Sequence, residues 1–395
     1  MQRFSSAEAF LKAHRPVDPV RCLRPFLAER AAQWFQTQFP GRLLYAVKAN
    51  PTRTLLEGLS ASGVSGFDVA SLHEIEHMRS VAFDADLFYM NPVKSRAHIR
   101  EAYFTHGVRR FAVDSEAEVL KILDVTNQAD DLCLFVRLAC NDEGSVLPLG
   151  AKYGVSGAEA AALLQLVRAK ARRLGVTFHV GSQALVPARY GQALTLVGDL
   201  VRRAGVVADV LNVGGGFPIF YKEGDPLCLE PFLAAIRAGL ADVPLAGDAD
   251  IFAEPGRALV AESESLIVRV DGRRAQDLFI NDGGYGVLYD AAFSEWVFPC
   301  RLIGSSTGGD LLPFSFWGPT CDAADRMKGP FYLPASVKEG DYIEIYKTGA
   351  YGWAMASVFN GFGSYEMIEL EDDVPLSNFA SPLAAQPVSS LNKAG

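Results

Sequence analysis

Short apolar segments alternate with amphipathic helical segments along residues 43–253, and this alternation limits the folds open to the chain. The predicted strands are 43–47, 66–70, 87–90, 109–113, 132–138, 176–180, 209–213 and 250–253. The predicted helices lie near 53–62, 72–81, 95–106, 115–126, 157–173, 187–204 and 229–241. Strict β–α alternation over this many strands predicts a (β/α)8 TIM-type barrel. A doubly wound parallel sheet is the alternative, and the number of strands does not separate the two.

The residues at the strand ends favour the barrel. In chain order they are Lys48, Asp68, Asn91, Asp114, Arg137, His179, Gly214, Gly215, Gly216 and Glu254. Loops are polar, so polar residues end most strands, but this set is richer in acids, bases and glycine than ordinary loops are. In a barrel these ends converge on one face, where the active site lies.

The sequence changes character near residue 260, where helical periodicity fades and glycine and proline turns separate short alternating strands. The strands predicted there are Leu266–Val270, Asp277–Asn281, Tyr342–Tyr346 and Glu366–Leu370. We therefore predict a barrel domain at 24–262 and a second β-barrel or sandwich domain at 263–373, which residues 1–23 join. The tail, 374–395, is rich in Ser, Ala and Pro and is predicted to be loosely ordered.

Charge and cysteine usage limit the partners and the compartment. The 395-residue chain has a net charge of −9 and no long basic run, which argues against nucleic acid as a partner. Its six cysteines are scattered without C-x-x-C spacing, as is typical of a reducing cytoplasm. No apolar run reaches about 18 residues, so neither a signal peptide nor a membrane span is expected.

Lys48 follows the apolar run 43–47 and precedes a turn at Asn50-Pro51. One interpretation is a surface lysine whose stem packs on apolar neighbours. The other is a desolvated amine with a lowered pKa, which suits a lysine that forms a Schiff base.

A second candidate site lies near the ends of the last two barrel strands. Gly214-Gly215-Gly216 lets the backbone approach a ligand closely and can form an anion nest. The spacing matches neither G-x-G-x-x-G nor a P-loop, but this part of a barrel often binds phosphate. Arg257 suits a phosphate, and Glu254 suits a protonated heterocycle nitrogen.

Two further patterns allow alternative chemistry. His73-Glu74-x-x-His77 matches the spacing of a zinc motif, but no third ligand is evident, so no metal site is predicted. Cys321 beside Asp322 suits either a proton donor or a buried thiol, and the sequence position does not decide between them.

Taken together, the motifs resemble those of the pyridoxal-phosphate decarboxylases of basic amino acids with the alanine-racemase-like fold (fold type III), ornithine and lysine decarboxylases above all. The resemblance spans Tyr45 to about Phe362. Its motifs are YAVKANP, FDVAS-x-x-EI, HVGSQ, GGGFP, EPGR, GPTCDAAD and GAY…FNGF, in the family's order.

The resemblance implies pyridoxal 5′-phosphate as the cofactor and a role for each matched residue. Lys48 matches the Schiff-base lysine, His179 the histidine stacked on the ring, and Glu254 the carboxylate on the ring nitrogen. The residues that match phosphate binders are Ser182, Gly214, Gly215, Gly216, Gly256, Arg257 and Tyr351. Asp68, Glu74 and Arg137 match residues that support the lysine and the cofactor.

The resemblance also implies a substrate and an assembly. Cys321 matches a cysteine that the partner subunit contributes to reprotonate Cα, so a homodimer with shared active sites is expected. Asp322 and Asp290, with Tyr289, match residues that receive the distal amine of the substrate. L-Ornithine, giving putrescine for polyamine biosynthesis, is the predicted substrate, while lysine and 2,4-diaminobutyrate remain open and diaminopimelate ranks lower.

Two interpretations outside this enzyme class compete with it. A catalytically dead regulator of this family is disfavoured by retention of Lys48, Glu254 and Cys321 together. A single-domain carrier of pyridoxal phosphate conflicts with the predicted β domain after residue 260.

Overall fold

The structure is a computed structural model that describes residues 1–141, 145–148, 150–221, 228–304, 310–374 and 377–379. Its strands are β1 Gln2–Phe4, β2 Val20–Leu23, β3 Arg42–Ala46, β4 Gly66–Val69, β5 Asp86–Tyr89, β6 Arg110–Val113, β7 Cys133–Arg137, β8 Ser145–Leu147, β9 Arg173–Thr177, β10 Ser182–Ala184, β11 Ala208–Asn212, β12 Leu245–Ala253, β13 Glu264–Arg274, β14 Asp277–Ile280, β15 Cys300–Leu302, β16 Leu311–Trp317, β17 Arg326–Pro334, β18 Tyr342–Ile345 and β19 Glu366–Leu370. Its α-helices are α1 Ala7–Ala13, α2 Pro25–Gln38, α3 Arg53–Ala61, α4 Leu72–Val81, α5 Arg96–Phe104, α6 Glu116–Val125, α7 Gly157–Lys170, α8 Ala188–Ala204, α9 Glu230–Gly239, α10 Arg257–Val260 and α11 Tyr289–Phe293.

Parallel strands close into a barrel in the order β3-β4-β5-β6-β7-β9-β11-β12 within the described residues. The barrel closes because Phe252 and Ala253 of β12 pair with Arg42 and Leu43 of β3. An open, doubly wound sheet would leave those two strands at its edges. The predicted fold class, a (β/α)8 barrel followed by a β domain, is confirmed.

Residue alternation along the strands explains how the barrel fills. One set of buried side chains, including Leu44, Phe88, Phe135 and Phe252, forms the cluster inside the barrel. The alternate positions face the surrounding helices in a second, larger cluster. Gly175 on β9 belongs to the inner set, because a Cβ there would collide with the ring of Phe135.

The β9 strand lies earlier in the chain than predicted. It spans Arg173–Thr177 rather than 176–180, and α7 ends at Lys170 rather than 173. The Arg173 guanidinium donates to Asp250 Oδ2 at 2.7 Å, so a charged residue starts the strand at the base of the barrel. The apolar run that suggested a later strand continues past its end toward the barrel mouth.

The second domain is a sheet that combines both ends of the chain. Within the described residues, its strands run β1-β19-β2-β13-β14-β16-β17, with β18 pairing β13 and β15 pairing β18. Strand β2 lies between β13 and β19, so residues from the N-terminal segment occupy the interior of the sheet. Helix α1 packs on the same sheet through Ala7 and Phe10.

The described residues at the start of the predicted tail make specific contacts, and the loose order predicted for 374–395 as a whole stays a prediction. The Asn378 N–H donates to Glu262 Oε1 at 2.7 Å, and Phe379 packs against Trp34 and Phe35 of α2. These contacts fix the described tail residues because a buried aromatic ring gains from leaving water. Residues 375–376 and 380–395 lie outside the described residues. Among the described residues, no helix is both long and apolar enough to cross a membrane.

Candidate active site

A cavity of about 530 Å³ opens at the carboxyl ends of the barrel strands. The predicted residues that line it are Lys48, Asp68, Arg137, His179, Ser182, Gly215, Gly216, Glu254, Gly256, Arg257 and Tyr351. Asn91 lines it as well, and Gly214 directly precedes the two lining glycines. The barrel therefore brings together side chains that are far apart in sequence, as expected of its active-site face.

Lys48 lies in a single 3-10 turn, Val47–Ala49, directly after β3. Its Nζ donates to Asp68 Oδ2 at 2.7 Å, and its side chain is 47% exposed because it stands in the cavity. Burial lowers the pKa of Lys48, but Asp68, Tyr351 and Glu254 outweigh this effect and raise the pKa above its ordinary value. The prediction of a lowered pKa is wrong here because Asp68 holds the proton on the amine.

Glu254 follows β12 and is almost fully buried. Its Oε1 accepts a hydrogen bond from Asn212 Nδ2 at 2.5 Å. Burial and the nearby Asp68 raise the pKa of Glu254 to about 7, against the lowering effects of Lys48, Arg137 and Asn212. The site thus holds a carboxyl that can accept or share a proton near neutral pH.

His179 lies two residues beyond β9, in the loop at the barrel mouth. Its Nδ1 accepts a hydrogen bond from the Gly181 N–H at 3.0 Å. Burial and the positive charges of Arg137 and Lys48 lower the pKa of His179 well below its ordinary value. The ring is therefore neutral, with its proton on Nε2, and suits stacking on a flat ligand rather than binding an anion.

The glycine run after β11 forms a tight wall of the cavity. Gly214 and Gly216 have φ values of +69° and +98°, which favour glycine. A Cβ on Gly216 would collide with the carbonyl oxygen of Gly181. Side chains are excluded from this wall, so the backbone itself faces the ligand space.

Arg257 also lines the cavity, and it is buried at the start of α10. Its guanidinium lies over the rings of Trp296 and Tyr351, 4.2 Å and 4.8 Å from their centroids. Nη1 donates to Tyr221 Oη at 3.0 Å and is 3.0 Å from Asp290 Oδ2. The Nε atom is buried and has no hydrogen-bond partner in the described part of the chain, so one donor remains for a ligand.

Glu74 does not line the cavity, but it binds the backbone of Ala70, which does. Its Oε2 accepts from the Ala70 N–H at 2.7 Å, and burial raises its pKa. His77, the other end of the possible zinc motif, makes a 2.8 Å hydrogen bond between Nε2 and the Pro51 carbonyl. Within the described ranges, no three His, Cys, Asp or Glu residues are grouped to hold a metal.

The residues expected to contact the substrate do not line the barrel cavity. Cys321 is exposed, and its N–H donates to Asn360 Oδ1 at 3.0 Å. Asp322 accepts a 2.5 Å hydrogen bond from the Tyr285 hydroxyl, on the same outer face of the sheet domain. The Tyr289 ring lies tilted against that of Phe293, with the ring centroids 4.8 Å apart. These roles stay predictions.

Sequence reasoning missed several supporting residues. Asn212 was detectable, because strand alternation places it two residues before Gly214, on the inner face of the barrel. Tyr221 and Trp296 could not be predicted from sequence. They contact Arg257 from irregular segments, and no local sequence pattern predicts the path of such segments.

Comparison with known proteins identifies the family. Residues 27–261 match the pyridoxal binding domain of pyridoxal-dependent decarboxylases, and residues 197–349 match their C-terminal sheet domain. The chain belongs to the pyridoxal-dependent decarboxylases. This decarboxylase takes basic amino acids as its substrate class and pyridoxal phosphate as its cofactor. Its relatives are named as decarboxylases, and the chain is an enzyme of that class.

Three relatives are informative. The lysine/ornithine decarboxylase of Selenomonas ruminantium is 32% identical over 380 residues, which are 94% of each chain. The ornithine decarboxylase of Mus musculus is 32% identical over 348 residues, covering 80% of this chain and 73% of the mouse protein. The crystal structure of the Paramecium bursaria Chlorella virus arginine decarboxylase has a TM-score of 0.82 at 26% identity, covering 91% of this decarboxylase and 98% of the viral chain.

The cavity of this decarboxylase fits the cofactor. A buried carboxyl, Glu254, suits a ring nitrogen, and the unpartnered Arg257 Nε suits an anionic phosphate. The glycine wall presents backbone rather than side chains to a flat ligand. Lys48 supplies an amine in the same space.

Proposed function

We propose that this decarboxylase acts on L-ornithine and releases CO2 and putrescine, a precursor in polyamine biosynthesis. The observation that carries the proposal is the presence of two acids: Asp322, on the sheet domain, suits the distal amine of a basic amino acid, and Asp290 is buried 3.0 Å from Arg257 of the cavity lining. The names of the Selenomonas and mouse relatives support ornithine as the substrate.

The roles that we propose within the cavity follow from its contacts. Lys48 would hold the cofactor through Nζ, and Asp68, whose Oδ2 is 2.7 Å from that atom, would orient the amine. Glu254 would hold a proton at the ring nitrogen of the cofactor. Bound pyridoxal phosphate supplies a ring that accepts the electron pair left when CO2 departs.

Asn212 and Arg137 would tune Glu254 in this scheme. Both lower the pKa of Glu254, Asn212 by donating a hydrogen bond and Arg137 by its charge. They therefore favour the carboxylate that a protonated ring nitrogen needs as its partner. His179, neutral and buried, would cover the flat face of the ring without adding charge.

A homodimer with shared active sites completes the proposal. Cys321 and Asp322 lie on an exposed face and not in the cavity of their own chain, so they would reach the cavity of a partner. Val358 and Phe362 flank Asn360, which accepts from the Cys321 N–H, and both are exposed, at 78% and 43%. Such a patch is typical of a protein interface.

Initial rates of CO2 release from L-ornithine, L-lysine, L-2,4-diaminobutyrate and L-arginine test the substrate. We expect kcat/KM for ornithine to exceed the others by about tenfold or more, since one methylene changes binding by roughly this factor. A higher value for any other amino acid would replace ornithine. Lys48→Ala is the control: it should abolish CO2 release and remove the visible absorption band of the cofactor bound at Lys48.

A further inference from the structure

Glu264, the first residue of β13, is a carboxylate with no exposure to solvent. Its Oε1 accepts from Arg21 Nε at 2.7 Å, and its Oε2 accepts from Arg21 Nη2 at 2.9 Å. Arg21 belongs to β2, so this bidentate pair joins two strands of the sheet domain. A buried charge pair of this kind is costly to desolvate, and its net contribution to stability is often small.

The same carboxylate contacts the barrel through Asn50. Asn50 Nδ2 donates to Glu264 Oε2 at 3.1 Å and to the Gly349 carbonyl at 2.8 Å. Asn50 Oδ1 accepts from the Thr52 N–H at 3.0 Å, and the Asn50 carbonyl accepts from the Tyr45 hydroxyl at 3.0 Å. Every polar group of the Asn50 side chain is therefore fixed, and this side chain is only 2% exposed.

Asn50 is the residue that ends the turn of Lys48. The 3-10 turn Val47–Ala49 runs directly into Asn50, which caps it in an extended conformation. The Ala49 carbonyl accepts from the Tyr351 N–H at 2.7 Å, so the sheet domain also holds the other side of this turn. The barrel supplies Lys48, but residues outside the barrel fix the turn that aims it.

We propose that Glu264 is a positioning residue that aims Lys48 into the cavity by holding Asn50. The inference rests on the proposed role of Lys48 as the residue that holds the cofactor. A neutral acceptor at position 264 would bind Arg21 and Asn50 more weakly, because charge-assisted hydrogen bonds are about twice as strong as neutral ones. The turn would then sample other orientations of the Lys48 amine.

Glu264→Gln and Asn50→Ala test the proposal, with Glu344→Gln as the matched control. Glu344 is an equally buried carboxylate of the same sheet, paired with Arg24 at 2.9 Å. It therefore reports the general cost of breaking a buried ion pair. The main readout is the rate constant at which the cofactor-free protein captures pyridoxal phosphate at Lys48, followed by absorbance, and kcat and KM are measured alongside.

We expect Glu264→Gln and Asn50→Ala to slow capture and to lower kcat by about 10- to 100-fold, since small misplacements of a reacting group cost this much. Glu344→Gln should change the capture rate constant and kcat by less than about threefold each. Adding Glu264→Gln to Asn50→Ala should cause no further loss, because residues acting in one chain of contacts are not additive. Independent, multiplying losses would overturn the proposal, as would equal losses in Glu264→Gln and Glu344→Gln.

The readouts separate this inference from the proposed function. If the wild-type protein captures no cofactor at Lys48, the function itself fails. If the wild-type protein captures pyridoxal phosphate and the Asn50→Ala and Glu264→Gln variants capture it at the same rate, only the positioning role fails. Asn50→Ala leaves the Arg21–Glu264 pair intact, so it tests the link even if Glu264→Gln does not fold.

Discussion

At the scale of single residues, Asn212 contributes to the protonation of Glu254, beside burial and the charges of Asp68, Lys48 and Arg137. Its hydrogen bond to Glu254 Oε1 lowers the pKa of that carboxyl, which burial otherwise raises. We expect Asn212→Ala to raise this pKa further and to move the acid limb of the pH profile of kcat/KM upward by roughly one pH unit. An acid limb that stays at its wild-type position would show that Asn212 does not affect the pKa of Glu254.

Asp282 is a buried acid of the sheet domain, outside the cavity. Burial raises its pKa from 3.8 to about 7, although hydrogen bonds from the Tyr365 hydroxyl and the Val287 N–H oppose this. The folded chain thus keeps a proton that the unfolded chain releases. The resulting stability is fully present below pH 3.8 and is lost as the pH rises through about 7.

Urea unfolding of the cofactor-free chain at several pH values measures this effect. Between pH of about 5 and 7, Asp282→Asn should reduce the fall of the unfolding free energy by about 1.4 kcal/mol per pH unit. Glu254 contributes with the same sign, so some dependence should remain in the variant. An unchanged slope would mean that Asp282 is already ionised in the folded protein.

At the scale of elements, the glycine run after β11 is a wall that tolerates no side chain. Gly216→Ala would place a Cβ against the Gly181 carbonyl at a φ of +98°. We expect the affinity for pyridoxal phosphate to fall by about tenfold or more. Gly247→Ala is the control, because Gly247 has open space around its Cβ position. Equal affinities in both variants would show that the wall does not contact the cofactor.

The elements also show what the sequence could predict. Lys48 and Glu254 were predictable because strand ends in a barrel meet on one face. The raised pKa of Lys48 was not predictable, since it depends on the distance of 2.7 Å between Lys48 Nζ and Asp68 Oδ2. Strands β16 and β17 were missed because Pro313 and Pro330 lie inside them, and proline normally argues against a strand.

At the scale of the whole molecule, the proposed shared sites can be tested by mixing variants. Lys48→Ala and Cys321→Ala each damage a different half of a shared site. Equal mixtures, once their subunits exchange, should recover about a quarter of wild-type activity, because half of the dimers then carry one intact site. Mixtures no more active than either parent would argue that each chain works alone.

Residues from the two ends of the described chain meet in one sheet, and this has a consequence for folding during synthesis. Gln2 of β1 pairs with Ile368 of β19, and Cys22 of β2 pairs with the same isoleucine. Contacts over such a sequence separation form late, whereas the barrel strands, apart from the closing pair β12 and β3, pair with strands that are near in sequence. The nascent barrel can therefore form before β19 leaves the ribosome, when the pairing of β19 with β1 and β2 is not yet possible. Arg21 of β2 binds Glu264 of β13, so the contacts that hold Asn50 can form before β19 has been synthesised.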